Sequence, residues 1–293
     1  MSPVRVACIQ LRAGREVAAN IEAASRLIRE AARQGAAYVQ TPEVTNIVES
    51  KREALFAVLR PEAEDPALAA FRALAAELGL FLHIGSLALA SGDGRALNRS
   101  FLIDPAGAIL ARYTKIHMFD VDLGNGEAYR ESRSYAPGDR AVVAATPLGR
   151  IGLSICYDLR FPRLYRDLAR AGAELLTVPS VFTRPTGEAH WHVLLRARAI
   201  ENGAWVVAAA QGGRHESGRE SYGHSLVVSP WGEVVAEGGT EPGVVLADID
   251  PAAVQEARRR IPSLYHERPY TLEAPSAEAQ PSDAARASLE PVR

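Results

Sequence analysis

One thiol, one lysine and two carboxylates have the residue types and settings for covalent chemistry. Cys156 ends the apolar run Ile151-Gly-Leu-Ser-Ile-Cys156 and precedes Tyr157-Asp-Leu-Arg-Phe-Pro162. Pro162 suits the first turn of a helix, so the thiol falls on a sharp strand-to-helix turn. On such an elbow a side chain is presented for attack and the next backbone N–H, that of Tyr157, is free to hold an oxyanion. The other reading of Cys156 is a buried structural thiol, and that reading is the stronger one for Cys8 in mid-strand.

Glu43 follows Thr41-Pro42 at a strand end, where α/β folds place reacting groups; by itself it is also readable as a solvated loop acid. Only two of the 33 basic residues are lysines, Lys51 and Lys115. Lys115 closes the strand-like Ile109–Lys115, as a functional cation or as a strand lysine whose ammonium reaches to solvent. Glu131, in Tyr129-Arg-Glu131-Ser, is an ordinary loop acid when taken alone. His190-x-His192 and His215 do not make a metal site, because an i, i+2 pair points to different faces of a helix and no third ligand is spaced to help. No dinucleotide or P-loop glycine pattern is present, so no cofactor is expected.

A free thiol has a pKa of about 8.5 and a free glutamic acid about 4.3, so proton transfer between them is uphill by roughly 5.7 kcal/mol. A carboxylate becomes a useful base only if burial and a second acid raise it, and a nearby cation lowers the thiol. These four residues make electrostatic sense only as one cluster.

The elements that must bring them together read as α/β. The 293 residues suit one large domain or two small ones. With 47% hydrophobic and 23% charged residues the chain is not disordered as a whole, and a net charge of -2 leaves no basic field for nucleic acid. Two cysteines exclude a disulfide scaffold. No signal-like leader and no apolar run of about 20 residues occurs. The expectation is a soluble cytoplasmic protein with no membrane partner.

Strands are predicted at Val4–Leu11, Ala36–Gln40, Leu80–Leu87, Arg150–Cys156, Glu174–Val178, Trp205–Gln211 and Val244–Asp250. Hairpins turn at Pro105-Ala-Gly107 and Pro230-Trp-Gly232. Helices are predicted at Glu16–Gln34, Asp65–Gly79, Pro162–Ala171, Glu188–Asn202 and Pro251–Arg260, with residues 120–140 as loop. Two spaced matches, Arg33-x-Gly-Ala-x5-Pro42 with Arg170-x-Gly-Ala-x5-Pro179 and Ser100-x2-Ile-x-Pro-x-Gly107 with Ser225-x2-Val-x-Pro-x-Gly232, favour a duplication. Each half then has a sheet with helices on one face, and packing sheet on sheet gives a four-layer α-β-β-α sandwich. The domain is read as residues 1–272, followed by a disordered tail at 273–293, rich in Ala, Pro, Ser and Glu.

Thr41-Pro-Glu43, Lys115-Ile-His117 and Ser154-Ile-Cys156-Tyr-Asp158-x-Arg160-Phe-Pro162, in that order, resemble the nitrilase superfamily of carbon–nitrogen hydrolases. Ala189-His-Trp-x-Val-Leu-Leu-Arg-Ala-Arg198 and Ser221-Tyr-Gly-His224-Ser resemble its Nit amidase branch. The run Ala208-Ala-Ala-Gln211-x-Gly-Arg-His215 is closer to deaminated glutathione amidases than to omega-amidases.

The resemblance implies the same sandwich, a homodimer or higher homo-oligomer, and roles for four residues. Cys156 matches the nucleophile, Glu43 the general base, Lys115 the oxyanion-stabilising residue and Glu131 the second glutamate. The expected reaction converts the primary amide of a small keto-acid or peptide-like substrate to a carboxylate and ammonia through a thioester, with deaminated glutathione favoured. The alternatives are an omega-amidase acting on alpha-ketoglutaramate, an N-carbamoyl amino acid hydrolase, and a non-catalytic interaction protein of the same fold. Such substrates carry carboxylates, for which Arg160, Arg184, Arg214 and Arg219 are candidates. Phe182, Thr183, His190, Trp191 and Tyr222 are candidate pocket residues.

Overall fold

The computed structural model describes residues 3–124 and 126–274. The first half runs β1 (Val4–Gln10), α1 (Val17–Arg33), β2 (Tyr38–Gln40), α2 (Arg52–Val58), α3 (Pro66–Leu78), β3 (Phe81–Ala90), β4 (Ala96–Ile103) and β5 (Ile109–Thr114). A small hairpin, β6 (Asp120–Asp122) and β7 (Ala128–Arg130), leads to β8 (Val142–Thr146). The second half runs β9 (Gly149–Leu153), α4 (Pro162–Arg170), β10 (Leu175–Thr177), α5 (Arg184–Asn202) and β11 (Trp205–Ala208). The hairpin β12 (Gly212–Arg214) and β13 (Glu220–Tyr222) follows, then β14 (Leu226–Val228), β15 (Val234–Glu237), β16 (Gly243–Ile249) and α6 (Ala252–Arg260).

Local chemistry sets the main boundaries. Asp65 caps α3 by accepting from Leu68 N–H at 2.8 Å, Pro66 opens it, and Gly79 ends it in the left-handed region at φ 64°. Gly35 and Gly172 occupy the matched position before the second strand of each half, at φ 85° and 94°.

The two six-stranded sheets have the same order, β16-β1-β2-β3-β4-β5 and β8-β9-β10-β11-β14-β15. In each, the second, third and fourth strands are parallel and the flanking pairings are antiparallel. Each half gives its last strand to the other sheet: β8 follows the first half and edges the second sheet, and β16 does the reverse. This shared topology agrees with the duplication, and the exchange locks both halves into one unit.

Strand alternation sorts the core. Ala7, Ile9, Val39, Leu82 and Ile84 pack with Leu27, Ile28, Phe71 and Leu74 of α1 and α3. The opposite face, with Val6, Cys8, Tyr38 and Leu102, joins the cluster of the second sheet, which also includes Leu168, Trp191 and Leu195 of α4 and α5. The layers are therefore α-β-β-α.

Several boundaries differ from the sequence reading. The strand before Cys156 stops at Leu153, and α5 starts four residues earlier than Glu188. The 120–140 loop contains β6, β7 and a one-turn 3-10 helix at Glu131–Arg133. The hairpins β6–β7 and β12–β13 have three-residue strands, too short to show a period, and β8 and α2 also escaped it. The tail assigned to 273–293 lies, from residue 275 on, outside the described residues.

Candidate active site

The ends of strands from both sheets converge. Glu43 lies three residues beyond β2, Cys156 three beyond β9, Val181 four beyond β10, and Lys115 directly after β5. Beside Glu43, Val44 has φ 46°, and Cys156 itself has φ 49°. Such angles are sterically costly for non-glycine residues, above all for β-branched valine, and they occur here at both chemical groups. Hydrogen bonds hold each turn: Val44 N–H donates to Ser86 Oγ at 2.8 Å, and Cys156 N–H donates to Pro179 O at 2.9 Å.

Asp158 fastens the elbow. Fully buried, it accepts from Ile155 N–H at 2.9 Å, Tyr113 O–H at 2.6 Å and His117 N–H at 3.1 Å, and it meets His117 Nδ1 at 2.6 Å. The His117 ring stacks on Phe161 at 3.5 Å. The lysine and cysteine motifs are thus tied together through His117 and Asp158.

Glu43, Lys115 and Cys156 are 1%, 2% and 7% exposed. Lys115 Nζ donates to Glu43 Oε1 at 2.9 Å and to the two oxygens of Glu131 at 2.9 and 2.8 Å. Asn98 Nδ2 also reaches Glu43 Oε1, at 2.8 Å, and Val181 N–H donates to Glu43 Oε2 at 2.9 Å. Phe119 N–H fixes Glu131 at 2.7 Å. The Cys156 thiol faces the same cavity as Glu43.

The charge balance differs from the sequence expectation. Burial pushes Glu43 up, but the charge and hydrogen bond of Lys115, with hydrogen bonds from Cys156 and Asn98, outweigh it and hold Glu43 below its ordinary value. Burial and the Glu43 carboxylate push the thiol well up, against the opposing pull of Lys115. For Lys115, burial is outweighed by the charges of Glu131 and Glu43, which keep it protonated. The resting pair is carboxylate and neutral thiol; the cation is already shared between two acids, so it does not make a free thiolate.

A cavity of about 450 Å³ opens onto these groups. Cys156, Glu43, Lys115, Glu131, Tyr157, Phe182, Thr183 and Arg219 all line it, together with Asn98, Tyr129, Tyr135 and Ser217. Arg160, His190 and Trp191 do not, and their expected contact with the pocket is corrected accordingly. Arg160 Nη2 meets His190 Nδ1 at 3.2 Å, and its guanidinium lies 5.6 Å from the Phe182 ring centroid. Trp191 is turned into the core, its indole N–H donating to His224 O at 2.8 Å and its ring 4.9 Å from Phe182. It backs the wall without forming it. Arg184 pairs outside with Glu188 and Glu220, and Arg214 and Tyr222 are also absent from the lining.

Asn98 is the main residue the sequence reading missed. It lies in β4 between Leu97 and Arg99, two residues before the equally buried Ser100, and nothing in the local sequence sets it apart. Among the described residues, His192, His224 and Glu237 are grouped closely enough to hold a metal. Both imidazoles already share Glu237 Oε1, at 2.9 and 2.7 Å, and none of the three lines the cavity.

The carbon-nitrogen hydrolase family model matches residues 5–259. The chain belongs to the carbon–nitrogen hydrolase family. It is 38% identical over 268 residues to the deaminated glutathione amidase of Synechocystis, covering 91% of this chain and 98% of that one. It is 42% identical to the human protein of that name, over 90% of this chain and 82% of the other.

Among solved structures, the C. elegans NitFhit protein superposes with a TM-score of 0.84 at 36% identity, over 92% of this chain. This chain spans 66% of the NitFhit chain. An amidase from Nesterenkonia, with a glutamate-to-glutamine mutation and acrylamide added at its active-site cysteine, superposes with a TM-score of 0.75 at 28% identity, covering 88% of this chain and 98% of that one. This carbon–nitrogen hydrolase is a cysteine-dependent amidase. Among its described residues no helix is long and apolar enough to cross a membrane.

Proposed function

We propose that Cys156 is the nucleophile, Glu43 the proton carrier and Lys115 the oxyanion-stabilising cation of this amidase, with Glu131 fixing Lys115. The observation that carries this reading is the buried ion pair of Glu43 and Lys115, facing one cavity together with the Cys156 thiol.

At rest, proton transfer from sulfur to Glu43 is uphill, so it accompanies attack. As the S–C bond forms, the thiol proton moves to Glu43 and the carbonyl electron pair moves to oxygen. The Lys115 ammonium and the Tyr157 N–H, at the start of the 3-10 turn Cys156–Arg160, receive that charge. Collapse breaks the C–N bond, and Glu43 gives its proton to the departing nitrogen. Water then attacks the thioester, Glu43 takes a proton from it, and the released sulfur is reprotonated. These residues accomplish each step with no cofactor named.

The substrate we favour is deaminated glutathione, supported by the relatives of that name; alpha-ketoglutaramate and N-carbamoyl amino acids are the alternatives. The expected release of ammonia needs correcting for this substrate: the amide bond of a deaminated tripeptide is secondary and releases an amine, whereas a primary amide such as alpha-ketoglutaramate releases ammonia. The experiment is a panel of these amides with both leaving groups measured. Deaminated glutathione giving the highest kcat/KM, with turnover abolished in Cys156→Ala, is the expected outcome. Retained turnover in Cys156→Ala, or an alpha-ketoglutaramate preference, overturns the mechanism or the ranking respectively. We place the enzyme in a reducing cytoplasm, in keeping with two unpaired cysteines, and as a self-associating chain.

A further inference from the structure

We infer that His192, His224 and Glu237 form a binding site for a divalent transition-metal ion, zinc above all, outside the catalytic cavity. This goes beyond the amidase reading and does not depend on it. The side chains come from three elements: His192 from the middle of α5, His224 from the turn between β13 and β14, and Glu237 from the end of β15. One ligand atom of each lies within 4.8 Å of the others. His192 Nε2 is 2.9 Å and His224 Nδ1 is 2.7 Å from Glu237 Oε1. Ligand atoms around a tetrahedral zinc stand about 3.3 Å apart, so small side-chain rotations turn this triangle into a coordination face. Two imidazoles with one carboxylate suit zinc, cobalt or nickel rather than calcium or magnesium, which take oxygen. His190 turns to Arg160 on another face of α5, and the further ligands come from strands remote in sequence.

The donors are held in place by the fold itself. Trp191, the buried residue before His192, donates its indole N–H to His224 O at 2.8 Å, and His224 N–H donates to Gly239 O at 2.8 Å. Gly238 N–H donates to Ser225 O at 2.8 Å, which ties the chain just after Glu237 to the chain just after His224. Glu237 itself is paired with Leu226 in the β14–β15 register. The Tyr222 ring stacks on His224 at 4.3 Å and meets His192 edge-on at 6.1 Å, orienting both imidazoles. Ligands oriented in advance lose little freedom on binding, and outer contacts of this kind tune a metal site.

Two further observations single the cluster out. His224 has φ 53°, and the other non-glycine residues in that region among the described residues, Val44 and Cys156, sit at the catalytic turns. A glycine would relieve the strain, so the imidazole at position 224 contributes something that outweighs it. Glu237 has no arginine or lysine partner among the described residues; its ion-pairing partners are the two imidazoles. The three side chains are 32%, 27% and 36% exposed, so water reaches the cluster and can supply a fourth ligand. An ion held here fastens α5, which begins just after the cavity-lining Thr183, to the loop and strand that carry His224 and Glu237, and adds its binding energy to folding.

The test uses the untagged full-length chain, stripped with a chelator, then titrated with Zn²⁺ by calorimetry and with Co²⁺ by visible absorption. The expected result is one ion per chain at micromolar metal, cobalt bands of four-coordinate nitrogen and oxygen ligation without thiolate charge transfer, and the same binding in Cys156→Ala. Glu237→Gln keeps an oxygen that accepts from both imidazoles, and His224→Asn tolerates the same backbone. Each weakens binding by about 100-fold or more, since losing an outer contact alone costs about 10- to 100-fold. Absence of saturable binding, or affinity kept in either variant, overturns the site. Binding lost in Cys156→Ala also overturns it, by placing the ion on the catalytic thiol. Should either variant fail to fold by circular dichroism, anomalous scattering from zinc in wild-type crystals decides: an ion on these three side chains supports the site, and an ion elsewhere or none overturns it.

Discussion

The ammonium of Lys115 lies 2.9 Å from Oε1 of Glu43, and both side chains are sealed from solvent. Because the same ammonium bridges Glu131, removing it leaves two acids facing each other without a cation. Lys115→Met is expected to abolish turnover and to cost about 3–5 kcal/mol of stability at neutral pH, the usual penalty for an orphaned buried charge. The variant binds protons more readily folded than unfolded, so its deficit shrinks as pH falls toward 5. Adding Glu131→Gln recovers part of the loss. Urea unfolding at pH 5 and 7 measures both effects; an unchanged deficit at the two pH values contradicts the ion-pair account.

The resting proton positions set a second expectation. Glu43 is held below the ordinary glutamate value and the Cys156 thiol above the ordinary cysteine value. The acid limb of kcat/KM therefore lies below about pH 4.3 and the alkaline limb above about 8.5, with a plateau between. An inflection between about pH 6 and 8 in that profile argues for a preformed thiolate instead. Stability follows the same groups. The contribution of Glu43 is complete above its unfolded pKa and is lost as pH falls through the lower folded one. For Cys156, and for Cys8, which burial pushes up to about 12, the unfolded chain loses a proton that the folded chain keeps. Stability thus declines above about pH 8.5, by up to about 1.4 kcal/mol per pH unit for each thiol. Cys8→Ala should flatten part of that slope.

Gly85 lies where the two halves meet, against the turns that carry the base and the thiol. A Cβ there would lie 2.0 Å from Thr41 O, 2.6 Å from Pro42 O and 2.5 Å from Pro179 Cβ. Thr41-Pro42 carries Glu43, and Pro179 O receives the Cys156 N–H. Backbone cannot yield as a side chain does, so Gly85→Ala should cost about 3 kcal/mol and lower kcat further by separating base and thiol. Thermal unfolding and steady-state rates on the same preparation test this. Wild-type kcat in a destabilised Gly85→Ala would show that the close approach serves folding alone.

The sandwich was legible from strand periodicity, and Cys156 and Lys115 stood out through a proline after the turn and a lysine in a chain that otherwise uses arginine, whereas Glu43 and Glu131 were singled out only by the family resemblance. The lining was less legible. Arg160, His190 and Trp191 belong to the quoted motifs, yet the path of α5 turns Trp191 into the core and pairs His190 with Arg160. Asn98 and Ser217 enter from β4 and the β12–β13 loop, distant segments with no pattern of their own. The proton balance was also unreadable, because it depends on Lys115 touching both acids at once.

Self-association has a physical candidate in the outer face of α5. Val193 and Ile200 are two helical turns apart on that face and are 69% and 51% exposed. Ile200 abuts Gly232, next to the half-exposed Trp231. Leaving such residues in water is unfavourable at about 25 cal/mol per Å², so covering them with the same face of a second copy is expected, in a two-fold arrangement that meets each patch with its equivalent. Sedimentation should find a dimer for the wild type, and Val193→Asp with Ile200→Asp should shift it to monomer while circular dichroism stays unchanged. A wild type that sediments as a monomer at micromolar concentration, or a variant that still pairs, removes this face as the interface.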